Sequence, residues 1–514
     1  MFGFDSSRRR FILQNLALLG GSSLVFNKSL VLGAETKSTT IPQLPRWRGF
    51  NLLEKFNGTN KRFREDDFRN ISDLGFNFVR LPMDYRHWVV DNDRRKFNEK
   101  TLDEIDEALD FGRKYGVHVC MNFHRAPGYT VAAPPESPLV WNDEDTLDVC
   151  AFHWRIFAKR YRGVPGSELS FNLFNEPAGC SEQDYYRVVK RIVDEIRSED
   201  PERLIVCDGI DWGGKPCFSF KDLNVIQATR GYAPMEISHY GANWVNSAGY
   251  PNPSWPMTSF NGLLPSEQKR EMPEGVRKPI IIEGNFPKDS VLRFKLGTVS
   301  QRSEIVVKSD GKEIFHKEFV SGAGEGEWKK SIYSEEYKIY QNLFDLEIQI
   351  PIPNGARQIS ISNKSGDWAT ITRISIEAPN YEVAMTEAAV DWQAQTRPTI
   401  RYEEKDGVAS LNSGDSKDRE WLVSKQYAPW RAAEKSGVKV MVGEFGAFNK
   451  TPHKIALAWM KDLLEVWNEF GWGWALWNFR GPFGVADSER SDVDYEEWRG
   501  LKLDKQMLTL LQNN

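Results

Sequence analysis

From about residue 47 onward, short apolar runs alternate with amphipathic stretches. The runs are Arg48 to Leu52, Phe76 to Pro82, Val117 to His124, Leu169 to Pro177, Leu204 to Asp208, Glu236 to Tyr240, Val438 to Glu444 and Trp472 to Phe479. Each is short enough for a strand buried on both faces. Between them lie patterns such as Leu102, Ile105, Leu109 and Phe111, which place one apolar stripe on a helix. Strand and helix in strict alternation predict βα units around a parallel sheet, and eight of them predict a closed (β/α)8 (TIM) barrel. An open doubly wound sheet is the competing architecture. The lack of a G-x-G-x-x-G loop after the first run argues against it.

One connection breaks the rhythm. About two hundred residues separate the sixth run from the seventh, far beyond an ordinary βα loop. Within the gap, Glu304 to Phe315 reads as a hairpin turned on Asp310-Gly311, and β-branched runs at Ile359 to Ile361 and Ile371 to Ile376 flank Gly366-Asp367-Trp368. Short strands with regular turns predict a β-sandwich inserted between barrel strands 6 and 7. The expected layout is a barrel over residues 45–285 and 418–512, a sandwich over 286–380 and a connecting segment over 381–417.

The chemistry gathers where the runs end. In a parallel barrel those ends share one mouth. They bring together Arg80, His124, Asn175 with Glu176, His239 with Tyr240, Glu444 and Trp477. Two glutamates on strand ends are the equipment of glycoside hydrolysis, one protonating the leaving oxygen and one attacking the sugar. Glu176 would need surroundings that raise its pKa. Glu444 would need donors such as Arg80 or Tyr240. Trp212, Trp244, Trp255 and Tyr129 fall in the following loops and are candidate sugar platforms, with Asp211 and Asn243 as candidate hydroxyl partners.

Here the chain resembles glycoside hydrolase family 5, the retaining β-glycanases and cellulases. The likeness runs over about residues 45–285 and 418–512. It rests on Asn175-Glu176-Pro177, Arg80 in Val79-Arg80-Leu81-Pro82, His124 in Asn122-Phe123-His124-Arg125, Glu444 and Trp477. The resemblance implies Glu176 as acid/base, Glu444 as nucleophile, Arg80, His124, Asn175 and Trp477 as substrate-site residues, and a cis peptide at Trp477-Asn478. One departure stands out. Many members carry His and Tyr two apart on the sixth strand, whereas His239 and Tyr240 are adjacent, and neighbours on a strand face opposite ways. Gly481 to Ser488 and Asp492 to Glu496 look like the long last loop of cellulase-like members. The Asn363 to Trp368 turn resembles carbohydrate-binding modules.

Composition narrows the picture. Sixty-seven basic against 72 acidic residues leave a net charge of −5, with no basic stripe for nucleic acid. Eighteen tryptophans suit both a large core and sugar stacking. Five cysteines (Cys120, Cys150, Cys180, Cys207 and Cys217) without a C-x-x-C pair indicate neither a metal cluster nor a disulfide framework, although one disulfide among Cys150, Cys180 and Cys217 stays open. The histidines show no ligand spacing, so no metal or cofactor is expected. Ser7-Arg8-Arg9-Arg10-Phe11-Ile12-Leu13, then an apolar stretch to Phe26 and small residues near Ala34, reads as a twin-arginine export signal over residues 1–34. The stretch is too short for a membrane span. The expectation is an exported, monomeric, retaining β-glycosidase acting on a polysaccharide or oligosaccharide, a β-glucan first. The alternatives are an enzyme for mannan, xyloglucan or a smaller β-glycoside, and a non-catalytic glycan-binding barrel.

Overall fold

The computed structural model describes residues 45–514 apart from Gly249, Pro251, Ala388, Ala389, Asp406, Gly407, Gly414 and Asp415. The export signal expected at residues 1–34 lies outside the described residues. Among those described, no helix is long and apolar enough to cross a membrane.

Eight parallel strands close into a barrel: β1 (Arg48–Asn51), β2 (Phe78–Asp84), β3 (His118–Arg125), β4 (Leu169–Asn172), β5 (Leu204–Asp208), β6 (Ile226–Gly231), β7 (Lys439–Phe445) and β8 (Trp474–Leu476). Pairing of Gly49 with Ala475 on one side and Phe78 on the other completes the ring. Helices α1 (Glu65–Asp73), α2 (Glu99–Tyr115), α3 (Glu144–Arg160), α4 (Glu182–Glu199), α5 (Ala428–Lys435), α6 (His453–Phe470) and α7 (Lys505–Gln512) pack outside. Their ends follow side-chain chemistry. Asp143, Ser181 and Asp504 accept from free backbone N–H groups at the starts of α3, α4 and α7. Gly116 and Gly471 take the left-handed turn after α2 and α6. The predicted stripe faces the barrel, with Leu102, Ile105 and Leu109 buried.

The sixth strand corrects the sequence reading. It is Ile226–Gly231, and the run expected there, Glu236 to Tyr240, forms a one-turn helix at Met235–Ser238 and the loop beyond. Polarity disguised the true strand. Gln227 is wholly buried because its amide bonds the Cys217 backbone on both sides, Thr229 bonds the Gly213 carbonyl, and Arg230 meets acids at the mouth.

The inserted sandwich lies between β6 and β7. One sheet orders Tyr333–Ser334, Ile339–Pro351, Val291–Ser300, Trp368–Ala378, Tyr381–Glu387 and Ser259–Phe260, with Leu263–Pro265 also pairing on Trp368–Ala378. The other orders Lys312–Val320, Arg302–Ser309, Gln358–Gly366, Ile280–Gly284, Ile400–Lys405 and Val408–Asn412. The Asp310-Gly311 hairpin is present, both turn residues having positive φ. The sheets draw strands from beyond 286–380, from segments that the sequence reading gave to the barrel and to the connector. Those strands are short and lie toward the edges of the two sheets. The sandwich has its own apolar core, including Leu292, Phe294, Ile359, Ile361, Ile374 and Ile376, separate from that of the barrel.

Candidate active site

The mouth at the carboxyl ends of the strands is held by a polar network with two guanidinium groups at its centre. Arg80, at the middle of β2 and buried, donates through Nε to Asn172 Oδ1 (2.8 Å) and through Nη1 to Asn51 Oδ1 (3.0 Å) and Glu444 Oε1. Its Nη2 reaches Asn175 Oδ1 at 2.9 Å. Four of the five donors on this side chain are committed, and the guanidinium ties the β2 and β7 groups together directly.

Glu176 follows β4 with φ at +52°, a left-handed backbone unusual for a side chain of this kind. Three contacts hold it there. Its N–H donates to Asp208 Oδ2 (2.9 Å), the Tyr129 hydroxyl donates to its carbonyl (2.6 Å), and the Ala178 N–H donates to that same hydroxyl (2.8 Å). Tyr129, expected as a sugar platform, is therefore a buried clamp. The Glu176 carboxylate accepts from Arg230 Nε at 3.0 Å. Burial, opposed by Arg230 and reinforced by Glu444 and Asp208, pushes its pKa up to about 7.

Glu444, at the end of β7, is buried and accepts from Arg80, from Arg230 Nη2 (3.3 Å) and from the Tyr232 hydroxyl (3.1 Å). The last of these corrects the sequence reading. Tyr240, proposed as that donor, instead turns toward Asn252 Oδ1 (3.2 Å), because the loop after the one-turn helix carries it off the mouth. Tyr232 takes the place just past β6, and with Arg230 it restores a spacing of two along the strand. Arg230 and Tyr232 were missed in the sequence. That spacing, read against the adjacent His239-Tyr240 pair, was the available signal.

The remaining candidates fall on both sides of the two glutamates. His124 is buried with its Nε2 at 3.5 Å from the Asn175 amide nitrogen, and its pKa is well below the ordinary value through burial and the charges of Arg80 and Arg230. Its ring packs against Phe56 and Trp477. Trp477 is half-buried, and the Trp477-Asn478 peptide is cis, as the family resemblance implied. His239 is buried against Tyr232 and Phe483, and burial lowers its pKa to about 4. Trp244 stacks edge-on to Phe448 and lies near His239 and Phe483, with 54% of its surface open. Trp212 is 59% exposed on the left-handed turn after β5, its N–H bonded to the carbonyl of Pro177. Trp255 does not join them, since its indole N–H bonds Asp462 on α6. All five cysteines are free thiols. Among the described residues no cluster of His, Cys, Asp and Glu has the makings of a metal site.

A closed parallel barrel with two carboxylates bridged by one arginine at its carboxyl-terminal mouth belongs to the (β/α)8 class with paired acidic residues. Comparison with known proteins places it further. The family described as cellulase (glycosyl hydrolase family 5) matches residues 34–246, so this part of the chain is similar to glycoside hydrolase family 5. Endoglucanase C of Acetivibrio thermocellus is 28% identical over 188 residues, 36% of this chain and 54% of that protein. A probable glucan 1,3-beta-glucosidase A of Aspergillus fumigatus is 30% identical over 167 residues, 29% of this chain and 38% of that protein. The chain thus spans about half or less of the curated relatives it matches. Among solved structures, a glycoside hydrolase with 24% identity covers 91% of this chain and 99% of its own, at a TM-score of 0.58. Endoglucanase Cel5A from Thermotoga maritima, 16% identical, covers 90% and 96% at 0.50. At these identities the structural likeness establishes the fold.

Proposed function

We propose that this chain is a glycosidase that hydrolyses β-linked glucan or a related polysaccharide by a retaining double displacement. Glu176 is the acid/base and Glu444 the nucleophile. The observation that carries this reading is the unequal treatment of two carboxylates held by one guanidinium: Glu176 is pushed up to about 7, whereas three donors converge on Glu444. Unequal environments for two neighbouring acids assign the acid and nucleophile roles. The relatives named above, an endoglucanase and a glucan glucosidase, support a β-glucan as the substrate class.

In the first step the Glu444 carboxylate attacks the anomeric carbon while Glu176 gives its proton to the departing oxygen. In the second, Glu176 takes a proton from water, which attacks the glycosyl-enzyme and releases Glu444. Asn175 is oriented for the sugar: both arginines donate to its Oδ1, and its amide nitrogen, which faces His124 Nε2 at 3.5 Å, has a second N–H to meet a hydroxyl. Trp477 forms a platform beside it, and Trp212 and Trp244 extend the cleft outward. Export through the Arg8-Arg9-Arg10 leader fits a polymeric substrate met outside the cell.

The test is hydrolysis of aryl β-glycosides and soluble β-glucan, followed by NMR of the first-formed anomer. Retention is expected, with turnover lost in Glu444→Ala and partly restored by azide. An inverted first product, or undiminished hydrolysis by Glu444→Ala, would overturn the assignment.

A further inference from the structure

Arg230 makes more contacts with the acidic groups of the mouth than any residue the sequence reading had singled out. Its guanidinium, almost wholly buried, donates through Nε to Glu176 and through Nη2 to Asp208, Asn175 Oδ1 (3.0 Å) and Glu444. Two glycines make room for it. A Cβ at Gly213 would lie 2.8 Å from Arg230 Cγ, and one at Gly443 would lie 2.8 Å from Nη1. Asp208, at the end of β5, has no surface exposed, and it too is spoken for: Arg230 and Asn172 Nδ2 (3.1 Å) donate to it, as does the Glu176 N–H. An arginine placed against an acid catalyst creates a conflict, because a neighbouring positive charge favours the carboxylate over the proton-bearing form. An unpaired buried carboxylate at Asp208 would have the opposite effect.

We infer that Arg230 and Asp208 act as one net-neutral positioning pair, in which Asp208 absorbs the charge of Arg230 so that the guanidinium orients Glu176 and Glu444 without stripping Glu176 of its proton. This rests on the acid/base reading above. The groups facing Glu176 are few. Asp208 comes from β5, Arg230 and Tyr232 from the β6 end, Glu444 from β7, and Tyr129 from the loop after β3, while Arg80 on β2 and His124 on β3 stand behind Asn175. His239 stands off, beyond Tyr232. Among these, Asp208 is the carboxylate bonded both to Arg230 and to the backbone of Glu176, so it alone couples the charge of the arginine to the position of the acid.

The experiment is a set of charge variants read by the basic limb of the kcat/KM–pH profile, which follows the acid of the free enzyme. Asp208→Asn is expected to move that limb down by about one pH unit, since Arg230 then acts on Glu176 with Glu444 but no longer Asp208 to offset its charge. Arg230→Gln should move it up by a similar amount, and the double variant should return it near its starting place. Arg230→Lys keeps the charge and loses the fork, so the rate should fall with the limb unmoved. A purely structural role predicts lower rates with a fixed limb in every variant, and that result, or an Asp208→Asn limb that moves up, overturns the inference. Direct NMR titration of the Glu176 carboxyl, assigned by its loss in Glu176→Gln, reads the same shifts in protein that turns over nothing. Absence of hydrolysis by the native enzyme would therefore defeat the functional reading, while unshifted titration in Asp208→Asn would defeat the charge pair. Should Asp208→Asn not fold, Arg230→Gln and the double variant carry the test by the same criterion.

Discussion

At Glu176 a left-handed backbone, a buried carboxyl and a bridging arginine meet in one residue, and its neighbours determine what it can do. Tyr129 ties the carbonyl of Glu176 to the N–H of Ala178, spanning the turn that aims the side chain. Removing only that hydroxyl in Tyr129→Phe should lower kcat by roughly ten- to a hundredfold with KM little changed, because small misplacements at a reacting group are costly; steady-state kinetics on an aryl β-glycoside checks it. An unchanged kcat would show that Asp208 alone fixes the turn. Protonation gives a second test. The folded-state pKa of Glu176, about 7, lies above its ordinary 4.5, so the folded chain holds this proton more tightly than the unfolded one. Its contribution to stability is complete below pH 4.5 and is lost as pH rises toward 7, a change on the order of 3 kcal/mol. Melting temperatures of the native protein and Glu176→Gln should diverge across that window, the Gln variant gaining relative to the native protein as pH rises. Parallel curves would show that the carboxyl is not perturbed by folding.

At the scale of elements, the barrel depends on close backbone approach at its seam. A Cβ on Gly49 of β1 would overlap the carbonyl oxygen of Phe78 on β2. Gly49→Ala should therefore push β1 off its neighbour and lower the thermal midpoint by 10 °C or more, or leave no soluble protein, since strands that must touch this closely tolerate only glycine; a melt followed by circular dichroism decides. The same scale explains what could be read in advance. Strands such as β3 and β4 are buried throughout and keep one unbroken apolar face, Val119, Met121 and Phe123 in the first and Leu169 and Phe171 in the second, and a run of that kind is visible in a linear sequence. Strand β6 is not so visible, because Gln227, Thr229 and Arg230 are satisfied by groups distant in sequence that only the closed barrel supplies. Glu236 to Tyr240 looked the better strand for want of those partners. The error passed to the site: Tyr240 was given the donor role of Tyr232, and Arg230 went unseen. Arg80, His124, Asn175, Glu176, Glu444 and Trp477 were legible because each ends or interrupts an apolar run, and Trp212 because it follows one.

For the whole molecule, the telling feature is how the chain leaves the barrel and returns. Met257 and Lys417 exchange backbone hydrogen bonds, each N–H donating to the other's carbonyl at 2.8 Å, so the two ends of the insert stand side by side. Lys417 is tied to Glu236 at 3.1 Å, just past β6, which anchors this crossing to the barrel. Adjacent ends and separate apolar cores are the conditions under which an inserted domain can be removed without unravelling its host. Replacing residues 258–416 with a short Gly/Ser turn should leave a cooperatively folding barrel whose kcat on an aryl β-glycoside stays within about threefold of the native value. A barrel that failed to fold would mean that the sandwich supplies stability across the crossing. The same variant tests what the insert is for. Its Trp368 packs edge-on to Trp392 at 5.3 Å, and Asp367 in the turn resembling carbohydrate-binding modules is already bonded to Ser300 and Lys269. With that acid committed to the fold, sugar affinity there would have to come from the indoles. If they supply it, depletion of the excised protein by insoluble β-glucan should fall well below that of the full chain while small-substrate turnover holds; equal depletion would make the sandwich a spacer.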